Sequence, residues 1–116
     1  MEPFEIGVED NGREVTLYEG QLLILTLDSN PTTGYSWQLG EFDEAVLKQT
    51  NHEYVPYERP PGKMGVGGKE TWYFEGRAPG ETALHLVYVR PGEEDVEPAK
   101  TFTVRVVVRP AGLPLR

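Results

Sequence analysis

Phe102, Val104, Val106 and Val108 form the cleanest period-two alternation in this chain. Residues at i, i+2 and i+4 fall on one face of an extended strand, whereas a helix would spread them around its axis. The same period recurs. Val15 and Leu17 share a face between Arg13 and Tyr18, as do Leu23, Leu25 and Leu27 in the next apolar run. Tyr35 to Leu39 alternates apolar with polar. Trp72 and Phe74 share one face, and Leu84, Leu86 and Tyr88 another. Turn signals separate these runs: Asp10-Asn11-Gly12, Glu19-Gly20, Arg59-Pro60-Pro61-Gly62, Ala78-Pro79-Gly80 and Pro91-Gly92. The stretch Phe42–Gln49 suits a short helical turn or a turn leading into a strand through Tyr54, and we read it as the latter. Seven or eight short strands with turns about every ten residues predict an all-β fold, an immunoglobulin-like β-sandwich.

The 116 residues make one domain, residues 1–116, and a chain of this length buries roughly two-thirds of its unfolded surface. There is no cysteine, which removes a disulfide framework, a thiol nucleophile and thiolate metal ligands. The net charge of −8 argues against nucleic acid, which needs clustered Lys and Arg, and against an anionic membrane surface. Uninterrupted apolar runs reach only four residues, as in Leu22–Leu25, too short to span a bilayer. Met1-Glu2-Pro3-Phe4-Glu5 lacks the basic and apolar regions of a signal peptide. The expectation is a cytoplasmic protein or an exported one whose leader has been removed. Asn30-Pro31-Thr32 fails as a glycosylation acceptor because proline occupies the middle position.

The loops carry the functional signal. Asn30-Pro31-Thr32-Thr33-Gly34 separates the run ending at Leu27 from the alternating run that opens at Tyr35. Pro31 holds its own φ and biases Asn30 towards extended backbone. The Asn30 amide can bond backbone two residues on, and Gly34 can take φ > 0. The same residues also make an ordinary turn. What raises them above that is company. A second loop, Tyr57 to Gly68, contains two prolines and four glycines, among them Gly65-Val66-Gly67-Gly68. Glycines strip side chains away and let another backbone approach. A third loop opens with Arg90-Pro91-Gly92. In a sandwich, three such loops emerge at one end, where binding loops gather. A loop of fixed shape loses little entropy on association.

The order of these motifs resembles the chagasin-like family of cysteine protease inhibitors. The elements are NPTTGY-x-W at residues 30–37, G-x-G-G at 65–68 with aromatics soon after, and Y-x-R-P at 88–91. The resemblance spans residues 14–109. It implies that Asn30, Pro31, Thr32, Thr33 and Gly34 enter the cleft of a papain-like cysteine protease beside its catalytic cysteine. It further implies that Gly65, Val66, Gly67 and Gly68 bond along the substrate groove, and that Arg90, Pro91 and Gly92 lie against the enzyme. Members of the family usually carry an aromatic after Arg-Pro, a stacking contact worth about 0.5–1.5 kcal/mol beyond its buried area. Here that position is Gly92. Arg90 is expected either to touch the protease or to pair with nearby acids. Tyr35 and Trp37 are expected to anchor the first loop in the core.

Other chemistries fit poorly. A phosphate-cradling loop ending at Gly68-Lys69 would need glycine where Lys63 stands and Ser or Thr where Glu70 stands. His52 and His85 lack metal-ligand spacing and read as ordinary surface residues. Glu93-Glu94-Asp95 reads as a solvated loop. No nucleophile–base pair and no carboxylate pair suited to acid–base work is legible. The reading is therefore a monomeric binding protein, not an enzyme, with no cofactor. The alternative is an immunoglobulin-like adhesion or scaffold module.

Overall fold

The computed structural model describes residues 1–58, 67–93 and 95–111. They form eight strands: β1 (Phe4–Ile6), β2 (Glu14–Tyr18), β3 (Leu22–Ser29), β4 (Ser36–Leu39), β5 (Leu47–Pro56), β6 (Gly68–Gly76), β7 (Gly80–Val89) and β8 (Lys100–Arg109). One sheet has the order β1-β3-β6-β5 and the other β2-β8-β7-β4. The expected β-sandwich is the observed architecture.

The alternations become the core. Leu23, Leu25 and Leu27 of β3 face Phe74, Trp72 and Glu70 of β6 across an antiparallel register. The apolar members of that set are buried, as are Leu84, Leu86 and Tyr88 of β7 and Phe102, Val104, Val106 and Val108 of β8. Residues directly opposite in such a ladder share a face, so the two inner faces meet as two apolar layers. The N-terminal segment closes one side of the sandwich. β1 pairs parallel with β3, a one-turn 3₁₀ segment (Val8–Asp10) crosses over, and β2 pairs parallel with β8. The chain thereby serves both sheets before the first hairpin.

The segment Phe42–Gln49 is a turn followed by strand, as expected. In β5 only Leu47 is buried, and the remaining nine residues of this edge strand are exposed. A bulge between Gln49 and Asn51 inserts one unpaired residue and sets His52, rather than Asn51, opposite Trp72. This changes the reading of His52. Its ring stacks on Trp72, with centroids 5.0 Å apart, and its Nε2 lies 2.5 Å from Glu70 Oε2. Glu70 sits on the core-facing side of β6 and is buried, and this hydrogen bond satisfies its carboxylate there. His85, by contrast, is exposed on the outer face and bonds Thr103 Oγ1 at 2.6 Å.

Candidate functional site

The strand registers bring three connections to one end of the sandwich. Gly68 stands on one rung with Ser29 and Pro56, so the chain leaves β3 and β5 and enters β6 side by side at this end of the first sheet. In the second sheet Ser36 pairs with Val89 and Lys100 with Tyr88. Residues 30–35 therefore return to the second sheet beside the strand ends at Val89 and Lys100. The first loop crosses from the first sheet, at β3, to the second, at β4.

The first loop is held by its own hydrogen bonds. Pro31–Thr33 form a single 3₁₀ turn with proline in its first turn. Asn30 Oδ1 accepts from the Thr32 backbone N–H (3.2 Å) and from the Thr32 hydroxyl (2.6 Å). The Asn30 carbonyl accepts from the Thr33 N–H (3.1 Å) and the Thr33 hydroxyl (2.7 Å). Gly34 closes the turn with φ 86°, and its N–H donates to the Pro31 carbonyl at 3.0 Å. The backbone N–H and hydroxyl of both Thr32 and Thr33 are thus bonded within the loop, while residues 31–34 remain exposed. The apex is self-bonded and presented to solvent.

An aromatic stack supports that apex. Trp37 is buried, and its indole N–H donates to the Asp28 carbonyl at 2.9 Å. Its ring lies 4.9 Å from that of Tyr88, and Tyr35 stacks on Tyr88 at 5.3 Å. The Tyr88 hydroxyl accepts the Asn30 N–H at 2.9 Å. Trp37 anchors the loop in the core as expected; Tyr35 is half-buried and forms the outer layer of the stack. Arg90 extends it: its guanidinium carbon lies 4.7 Å from the Tyr35 ring centroid. Among the described residues Arg90 makes no ion pair within 4.0 Å, and the partner that the structure gives its guanidinium is the Tyr35 ring.

The third loop has a physical reason for its glycine. The Glu93 N–H donates to the Arg90 carbonyl at 2.9 Å, and Gly92 has φ 89°. Proline followed by a positive-φ glycine inside a four-residue turn is the signature of a type II turn. An aromatic at residue 92 would occupy the left-handed region. No atom of the described residues lies within 4 Å of a Cβ built on Gly92, so among them the obstacle is backbone conformation rather than crowding. Gly92→Trp should therefore cost about 1–2 kcal/mol of stability, seen as a lower urea midpoint with an unchanged slope. A variant as stable as the wild type would show that the turn re-forms with another geometry.

The second loop divides. Gly65 and Val66 lie outside the described residues. Gly67 and Gly68 are both buried. A Cβ on Gly67, which has φ 80°, would stand 2.9 Å from the Ser29 carbonyl oxygen and 3.3 Å from Asn30 Cβ. One on Gly68 would stand 2.3 Å from the Val55 carbonyl oxygen. These glycines let neighbouring backbone of the same chain approach, and they lock the second loop's base against the first loop. The Tyr57 N–H donates to the Gly67 carbonyl at 2.9 Å, and the Tyr57 hydroxyl donates to Asp28 Oδ1. That hydrogen bond to the carboxylate raises the Tyr57 pKa above the usual tyrosine range, with burial and the Asp28 charge adding smaller contributions. Tyr54, Val55 and Tyr57 leave exposed apolar surface beside the loop. They were legible as apolar residues at the end of a strand, but no motif drew attention to them.

Among the described residues no cluster of three His, Asp or Glu side chains could hold a metal ion. No helix in the same set is long and apolar enough to cross a membrane. Among the described residues, this end of the sandwich carries an exposed, self-bonded turn at residues 31–34, with Gly67 packed against Asn30 and Arg90 against Tyr35.

Comparison with known proteins agrees in sequence and in shape. Residues 16–106 match the family model described as chagasin family peptidase inhibitor I42. Amoebiasin-1 of Entamoeba histolytica is 35% identical over 101 residues, spanning 87% of this chain and 95% of its own length. Chagasin of Trypanosoma cruzi is 32% identical over 99 residues, spanning 81% of this chain and 87% of its own. Among solved structures, the cysteine protease inhibitor EhICP2 from Entamoeba histolytica superposes with a TM-score of 0.85 over 94% of this chain and 97% of its own, at 24% identity.

Proposed function

The chain belongs to the chagasin family of peptidase inhibitors, and we infer from this that it is an inhibitor of cysteine proteases whose inhibition is reversible, competitive and directed at papain-like enzymes. Asn30, Pro31, Thr32, Thr33 and Gly34 form the wedge that enters the active-site cleft. The second loop, through Gly65 and Val66, runs along the substrate groove, while Gly67 and Gly68 brace it from within. Arg90, Pro91 and Gly92 flank the wedge on the other side. The function is binding, with no chemical step. A wedge of this kind blocks the catalytic cysteine without offering a peptide bond in the geometry needed for cleavage.

The observation that carries this reading is the self-bonded turn of Pro31–Thr33, exposed where the chain crosses from β3 to β4. Its rigidity explains both halves of the behaviour. Little entropy is lost when it docks, and its backbone does not relax into the extended form that a protease cleaves.

Titration of papain with the purified protein tests the reading. Activity should fall with increasing inhibitor, the apparent inhibition constant should rise with substrate concentration, and trypsin and pepsin should be unaffected. Intact mass should not change after prolonged incubation. Quantitative cleavage between Thr32 and Thr33 would make the protein a substrate. No inhibition of any papain-like enzyme would leave an adhesion or scaffold module as the better account.

A further inference from the structure

Arg90 is exposed and sits at the start of the third loop, where a direct contact with the protease would be the simplest role. Its surroundings point elsewhere. The guanidinium lies over the Tyr35 ring at 4.7 Å. Its side chain also runs along Gly34: a Cβ built on that glycine would be 3.6 Å from Arg90 Nε and 3.9 Å from Arg90 Cδ and Cγ. Tyr88, at the alternate position on the same strand end, takes the Asn30 N–H on its hydroxyl. Asn30 opens the 3₁₀ turn, and Gly34 and Tyr35 close it. Tyr88 and Arg90 therefore grip the two ends of the wedge.

We propose that Arg90 is a positioning residue for the first loop: it clamps Gly34 and Tyr35 from the third loop and acts on the protease through them. This rests on the inhibitory reading above and assigns the mechanism by which the third loop contributes to it. The chemistry favours arginine specifically. A flat, weakly hydrated guanidinium lies face-on against an aromatic ring, and its stem covers the backbone of Gly34 at the same time. Lysine keeps the charge but loses the plane and is more strongly hydrated. The clamp also fits the Pro91-Gly92 turn. That turn reverses the chain just after Arg90, closed by the Glu93 N–H donating to the Arg90 carbonyl at 2.9 Å. The arginine backbone is held while its side chain reaches back over the first loop.

A double-mutant cycle on the full chain separates positioning from direct contact. Arg90→Ala and Tyr35→Leu should each weaken inhibition of papain by about tenfold. In the Tyr35→Leu background, Arg90→Ala should weaken it by less than about twofold further. Arg90→Lys should behave nearly as Arg90→Ala. A full further tenfold loss in the Tyr35→Leu background, or full activity of Arg90→Lys, would overturn the proposal in favour of direct charge contact. A second readout does not depend on inhibition. In the free wild-type protein the Arg90 side-chain methylene protons should show upfield ring-current shifts in the NMR spectrum, and Tyr35→Leu should abolish them. Unshifted resonances in the wild type would remove the clamp. Shifted resonances in a protein that inhibits no protease would leave the clamp standing and the inhibitory reading refuted.

Discussion

Replacing Gly34 with valine should weaken inhibition of papain at least tenfold while the sandwich stays folded. Gly34 has φ 86°, a region that β-branched residues avoid. Forcing valine there costs about 1–3 kcal/mol, or lets the turn rearrange to escape the cost. Either way the apex moves. The substitution also reaches the supporting stack, because the new Cβ would meet the Arg90 side chain and the branched methyls would extend beyond it. By the usual conversion the strain alone corresponds to roughly five- to 140-fold in affinity, provided the enzyme must restore the native shape on binding. The inhibition constant against one papain-like enzyme, with far-UV circular dichroism alongside, measures the effect. An unchanged constant in a folded variant would mean that the geometry of the apex is irrelevant.

Gly68→Val should have the larger effect on stability. A Cβ there would fall 2.3 Å from the Val55 carbonyl oxygen and 2.7 Å from Pro56 Cα, both backbone atoms, and 2.9 Å from Tyr54 Cζ. A side-chain tip can swing away, but a paired strand cannot yield without losing its ladder. Overpacking of this kind costs about 3 kcal/mol. The damage has a location as well as a size. Gly68 shares its rung with Ser29 and Pro56, so opening it unfastens the bases of the first and second loops together. Urea denaturation should show the midpoint falling, and inhibition should fall in parallel. Wild-type stability would show that β5 can shift on β6 without cost.

The two glycine positions also show what a sequence discloses and what it does not. At Gly34 the inference from sequence holds, because the whole argument is local: proline, an Asx-type side chain and a positive-φ glycine within five consecutive residues. At Gly67 and Gly68 the physical property is legible in the sequence, and the structure adds a use for it within the chain. Glycine there admits backbone of Ser29, Val55 and Pro56 from the same chain. Only the register of β3, β6 and β5 reveals this, and register depends on partners far away in sequence. The strands themselves were legible wherever one face was buried, as in β3, β7 and β8. In β5 the one-residue bulge breaks the period, and the pairing of His52 with Glu70 follows from that break. Arg90 illustrates the same limit. Nothing near it in the chain suggests an aromatic partner, since Tyr35 arrives only after the sandwich closes. The glycine at residue 92, which looks like a missing contact when read by motif, becomes a turn requirement once its φ is known.

The central claim is that the three-loop end of the sandwich is the surface that engages the protease. Amide hydrogen exchange of the protein, free and in the presence of excess papain, tests this most directly. The account predicts slowed exchange confined to residues 30–35, the connection after Pro56 and residues 90–97, with β1, the outer edge of β5 and the far end of the sandwich unchanged. Protection along β1 or the β5 edge, with the loop end exchanging as in the free protein, would contradict it.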